Sequence, residues 1–109
     1  MSQLNEHTLQ HVAQRFKILG EPMRLKLLSC LQEQELCVQD LVEQTAAGQA
    51  NISKHLSLLV ANGILGRRKE GLHVYYFIAD ETIYDLCDLV CESIADNAAN
   101  VQKQFQQQH

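Results

Sequence analysis

A mainly α-helical chain carrying one β-hairpin is predicted by three features. Apolar residues recur at helical spacing through most of the 109 residues. The period breaks at ILGRRKEGLHVYYFIAD (64–80), which divides around Glu70-Gly71 and is rich in strand-forming Val74, Tyr75, Tyr76, Phe77 and Ile78. Helical spacing then returns and runs almost to the end. The predicted order is helix, helix, helix–turn–helix, hairpin, long helix, in one domain spanning 1–109.

The first helix is expected over Asn5–Leu19, with Leu9, Val12, Ala13 and Phe16 on its apolar face and Gly20 ending it. Pro22 suits the first turn of a second helix, where a missing N–H costs nothing. Leu25, Leu27, Leu28 and Leu31 form its apolar side, and the polar QEQE at 32–35 closes it. ELCVQDLVEQ predicts a short third helix over Val38–Thr45, and the stretch from Ala46 to Gln49, with Gly48, predicts a tight turn. A fourth helix follows with Ile52, Leu56, Leu59 and Val60 on one face, closed by Gly63 in a left-handed cap. The hairpin strands are expected over 64–69 and 72–79, with Gly71 supplying a positive φ at the turn. Asp80 is expected to cap the last helix, whose apolar residues fall at 83, 86, 90, 94, 98, 101 and 105. Carried to Phe105, that helix would be roughly 25 residues and nearly 40 Å long. It outruns a small core, so a second copy of the chain is the natural cover for its far end. The terminal QFQQQH is expected to fray.

No stretch approaches the roughly 20 apolar residues that cross a bilayer, and beside the polar MSQLNEHTLQ no basic start followed by an apolar run suggests a secretion signal. A cytoplasmic protein is expected, with its four cysteines reduced. The net charge of −4 speaks against nucleic acid, but its distribution does not. Residues 48–73 hold Lys54, Arg67, Arg68 and Lys69 against Glu70 alone, a net +3, which leaves −7 on the rest of the chain. A basic patch on an acidic body is the footprint of a DNA binder.

Two short helices joined by a tight turn, the second polar at its front, match a helix-turn-helix that sets its second helix in the major groove. Gln49 and Asn51 offer the paired donor and acceptor that suit adenine; Ser53 and Lys54 suit phosphate or guanine. Arg67, Arg68 and Lys69 of the hairpin are placed to hold backbone phosphate. The competing reading is a solvated helix beside an ordinary surface hairpin.

ELCVQDL, QANISKHLSLL and GILGRRKEGLHVYYFIAD together resemble the ArsR/SmtB family of winged helix-turn-helix repressors, over about residues 10–95. The resemblance implies a homodimer built through the first and last helices. It would bind double-stranded operator DNA and be released by a metal ion, metalloid or thiol-reactive signal. The family's recognition positions fall on Gln49, Asn51, Ser53 and Lys54, and its histidine on His55, for packing or for a phosphate contact.

The residues must decide the signal. Arsenic-sensing relatives read ELCVCDL where this chain has Gln39 in place of the second thiol, so Cys37 alone cannot build a three-thiolate site. Cys37 reads as a small buried residue, a remnant, or one ligand of a set completed elsewhere. Cys87 and Cys91 stand at i and i+4 on the last helix, one above the other, where two sulfurs can hold one soft ion or simply fill an apolar seam. His7 and His11 repeat the spacing on the first helix. Against the partner's last helix they would complete a Cys₂His₂ set; otherwise they are exposed polar residues. The zinc-sensing relatives use Asp and His on the last helix. Here Asp80, Asp85, Asp88, Glu92 and Asp96 lack a histidine partner and read as a solvated face. Persulfide-sensing relatives pair a thiol at the position of Ser29, one residue before Cys30, with one near the end of the last helix. Cys30 therefore reads as core, with a sulfide or redox role, or a place beside Cys87 and Cys91 in the inducer site, as the alternatives. His73 is expected exposed on the hairpin, and of Tyr75 and Tyr76 one should pack inward and the other outward.

The expected function is a DNA-binding transcriptional repressor, not an enzyme, released by a thiophilic ion (arsenite, cadmium, lead or zinc) that folding does not require. One alternative has the same repressor sensing thiol oxidation or persulfide. The other is a dimeric protein-interaction module without DNA.

Overall fold

The computed structural model describes residues 4–107, with side chains through residue 104. Helix α1 (Glu6–Leu19) starts at Asn5, whose side chain accepts from the Thr8 N–H at 2.9 Å. Helix α2 (Pro22–Cys30) has its proline in the first turn. Strand β1 (Leu36–Cys37) leads into α3 (Val38–Thr45), and α4 spans Gln49–Ala61. Strands β2 (Leu65–Glu70) and β3 (His73–Ile78) form the hairpin, and α5 (Thr82–Gln107) closes the chain. Among the described residues no helix is long and apolar enough to cross a membrane.

The two predicted strands are joined by a third. The sheet order is β1-β3-β2, all antiparallel, with Leu36 opposite Tyr76 and Cys37 opposite Tyr75. Two residues are too few for an alternation to register. They are held because β3 offers its second edge just where the chain straightens before α3. The hairpin pairs Leu65 with Ile78 through Glu70 with His73, leaving Gly71 and Leu72 as a two-residue loop. Gly71 has φ +62°, the positive angle at the first loop position that a II′ turn needs.

A tight turn joins α3 and α4, as expected. Its left-handed residue is Ala46 (φ 59°), while Gly48 is extended (φ −70°). The Ala46 N–H reaches back to the Val42 carbonyl, and Thr45 Oγ accepts from the Ala47 N–H while donating to the Leu41 carbonyl. These bonds hold an alanine where glycine would be easier. The end of α4 is as expected: Gly63 has φ +73°, its N–H donates to the Val60 carbonyl, and the Ile64 N–H donates to the Leu59 carbonyl. That pair of bonds is a Schellman closure.

The core gathers Leu27, Leu28 and Leu31 of α2, Leu41 of α3 and Ile52, Leu56 and Leu59 of α4, roofed by Ile64, Leu65 and Tyr76. Among the described residues of α1 and α5, only Ile18, Leu19 and Ile83 are buried with them. The expected apolar face of α1 is therefore not core within this chain: Phe16 is 54% exposed and Leu9 43%. On α2, Leu25 is exposed too, and on α4 Val60 is half-buried. On α5 the stripe leaves the core after Leu86, and Val90, Ile94 and Val101 lie open. The helix holds its form to Gln107, past the expected fraying; residues 108–109 and the side chain of Phe105 lie outside the described residues. The radius of gyration, 17.6 Å, exceeds the roughly 13 Å of a compact chain of this size because α5 projects.

Candidate nucleic-acid interface and thiol site

Helix α4 is positioned by its buried face, Ile52, Leu56 and Leu59, which fixes what the other faces present. Gln49, Asn51 and Lys54 are exposed; Ser53 and His55 are half-buried. No side chain caps the first turn of α4, so its leading N–H groups stay open at Gly48. Of the sequence-predicted reading residues, Ser53 is the least available.

His55 is tied from below. Arg24 of α2 donates through Nε to His55 Nδ1 at 3.1 Å and through Nη1 to the Ile18 carbonyl at 3.0 Å. Arg24 was absent from the sequence reading. Only its cationic character was visible, and a contact 31 residues away in the chain leaves no local pattern.

The expected basic trio of the hairpin is split by strand alternation. Arg67 and Lys69 share the sheet face of Leu65 and Tyr76, whereas Arg68 lies on the opposite face beside Tyr75. Arg68 is also occupied. Its Nε meets Glu35 at 2.9 Å, its Nη1 pairs with Glu70, and its guanidinium lies 4.9 Å over the Tyr75 ring. The carboxylates hold the guanidinium's pKa above its usual range, and Arg68 in return lowers that of Glu70. Arg67 and Lys69 remain exposed and enter no ion pair among the described residues. Tyr76 packs inward and Tyr75 outward; His73 is exposed, as expected.

The cysteines divide by role. Cys37 starts α3: its N–H and its thiol both reach Asp40 Oδ2, at 3.1 and 3.0 Å. The thiol bond first, then the backbone bond, lowers the Asp40 carboxyl pKa. Cys37 is half-buried rather than buried, and Cys30 is half-buried against the core. Cys87 is half-buried and Cys91 exposed, both on the stripe of α5 that emerges from the core. They line two adjoining grooves: one of about 260 Å³ with Leu25, Leu28 and Tyr84, and an apolar one of about 320 Å³ with Phe16, Leu86, Val90 and Ile94. Burial, then the neighbouring Cys91 and Asp88, pushes the Cys87 thiol pKa up. His7 and His11 are exposed, their Nε2 atoms 3.1 Å apart.

Two thiols are half of a four-coordinate soft-ion shell. Within one chain no set of three His, Cys, Asp or Glu side chains converges among the described residues. Cys37, the Cys87–Cys91 pair and the His7–His11 pair therefore do not assemble into one site in a single copy. The acids of α5 do not form a site either; Asp80 accepts from the Thr82 N–H at the helix start, as a cap should, and meets Arg15 at 3.3 Å.

The chain's sequence and fold have known counterparts. The family model described as bacterial regulatory protein, arsR family, matches residues 21–66. The HTH-type transcriptional regulator MJ1325 of Methanocaldococcus jannaschii is 36% identical over 76% of this chain and 94% of its own. A transcriptional repressor SmtB homolog of Synechocystis is 33% identical over 81% of this chain and 67% of its own. The cadmium resistance transcriptional regulatory protein CadC of Listeria innocua is 41% identical, covering 68% and 63%. In structure, the homodimeric winged helix-turn-helix DNA-binding domain of Mb0332 from Mycobacterium bovis superposes with TM-score 0.72 at 29% identity, covering 91% of this chain and 94% of that one. These are transcriptional regulators rather than enzymes, and by fold and sequence alike this chain belongs to the ArsR family of winged helix-turn-helix, DNA-binding transcriptional repressors.

Proposed function

We propose that residues 1–109 form one domain of a homodimeric cytoplasmic repressor whose operator affinity is governed by a thiophilic ion at Cys87 and Cys91. Gln49, Asn51 and Lys54 read or grip the major groove, with Ser53 and His55 behind them. Arg67 and Lys69 hold phosphate, and Arg68 braces the wing. The observation that carries the reading is the place of the two thiols. They lie on the same apolar stripe that leaves the core on α5, beside exposed Phe16 of α1 and Leu25 of α2. Two copies covering these faces would set the thiols at their seam, as the homodimeric Mb0332 domain encourages. His7 and His11 of the partner subunit are candidates for the remaining positions of the shell, and Cys37 is a poorer one because Asp40 already engages it. The likeness to a cadmium-resistance regulator supports a soft cation, and sulfur ligands favour one.

An ion at the seam regulates only if it binds the two dimer arrangements with different affinity. The test is a titration of the reduced dimer, bound to labelled duplex from upstream of its own gene, with cadmium and with arsenite. Release that chelator reverses, and that Cys87→Ser and Cys91→Ser abolish, is expected. Release that survives both serine changes would overturn the site.

A further inference from the structure

Arg24 links α1, α2 and α4 through the two bonds to Ile18 and His55 described above, both part-buried. The bond to His55 carries chemical information. A ring nitrogen that accepts a hydrogen bond bears no proton, so acceptance at Nδ1 leaves the neutral imidazole's proton on Nε2. Nε2 lies across the ring from Arg24, and no other hydrogen bond of this ring occurs among the described residues. His55 follows exposed Asn51 by four residues and so shares its face of α4. The ring is half-buried, held at one nitrogen and open at the other.

We propose that Arg24 is a positioning residue for DNA recognition: it fixes His55 as the Nε2–H tautomer and aims that N–H at a backbone phosphate oxygen next to the groove Asn51 enters. Phosphate oxygens only accept, so the tautomer decides whether the contact exists. The same guanidinium seats α4 against the end of α1, so a shift of α1 reaches the phosphate donor through one side chain. The inference rests on α4 being the DNA-contacting helix.

Two measurements test it. In the first, long-range ¹⁵N spectra of the histidines are recorded on the reduced dimer without DNA. His55 should show the Nε2–H pattern, and Arg24→Gln should convert it to a mixture of tautomers. An Nδ1–H pattern in the unaltered protein, or no change in Arg24→Gln, overturns the proposal. In the second, affinity is measured for duplex from upstream of its own gene. His55→Ala should weaken binding about tenfold, the scale of one hydrogen bond to a charged acceptor. His55→Gln, which keeps an acceptor and a donor, should restore most of it. Adding Arg24→Gln to His55→Ala should cost nothing more, because Arg24 acts through the ring. A merely structural brace would lose stability without following this pattern. Wild-type affinity in His55→Ala, while Asn51→Ala weakens binding, sinks this proposal alone. Wild-type affinity in both sinks the reading of α4 itself.

Discussion

The Tyr84 hydroxyl donates to the Leu28 carbonyl at 2.7 Å, fastening the start of α5 to α2 across 56 residues of sequence. Burial first, then the neighbouring Cys87 and Glu81, raises the Tyr84 pKa from 10.0 to about 12. A phenol whose folded pKa lies above its unfolded value stabilises the fold fully below the unfolded pKa. That contribution is lost as pH rises from 10 through about 12. Tyr84→Phe should remove about 1 kcal/mol at neutral pH. It should also flatten the fall of thermal stability in that alkaline window, measured by circular dichroism. An unchanged alkaline profile would mean the hydroxyl is not engaged.

Gly66 lies under the Phe77 ring, and a Cβ there would stand 2.5 Å from two ring carbons. Gly66→Ala should therefore cost about 1–3 kcal/mol in denaturant unfolding. In a Phe77→Ala background the same change should cost much less. Equal costs in both backgrounds would place the strain elsewhere.

The wing's charges are unequal, and mutation should expose it. Arg67→Ala and Lys69→Ala should each lower the salt dependence of duplex binding by about one phosphate equivalent, with no change in sequence preference. Glu35→Gln with Glu70→Gln should tighten binding to all duplexes, because it frees Arg68 and removes two anions beside the DNA. Weaker binding in that double variant would mean that the brace matters more than the charge.

How much of this was legible beforehand differs by residue. The bounds of α3 and the positive φ at Gly63 and Gly71 followed from local chemistry, which side chains and turn types carry within a few positions. Strand β1 did not, since two residues form a strand only because remote β3 accepts them. The tight turn after α3 was legible, but its left-handed residue was not: the Val42 carbonyl accepts from the Ala46 N–H and Thr45 Oγ from the Ala47 N–H, which holds Ala46 at positive φ. Periodicity told which faces of α1 and α5 are apolar but not what covers them; within one chain Phe16, Val90 and Ile94 stay open. Helix α4 was singled out as the proposed reading helix from its polar front end. Its tie to Arg24 and the capture of Arg68 by Glu35 were hidden, because each joins residues more than 30 positions apart.

The central claim, that the front of α4 and the wing engage a duplex together, is tested most directly by anisotropy of its own upstream duplex across a salt series. The reduced protein and Asn51→Ala are compared in one experiment. The account expects log affinity to fall steeply and linearly with log salt for both, with Asn51→Ala displaced to weaker binding on the upstream duplex but matching the unaltered protein on scrambled DNA. Affinity that barely responds to salt, or an Asn51→Ala curve that overlays the unaltered one on both duplexes, would contradict it.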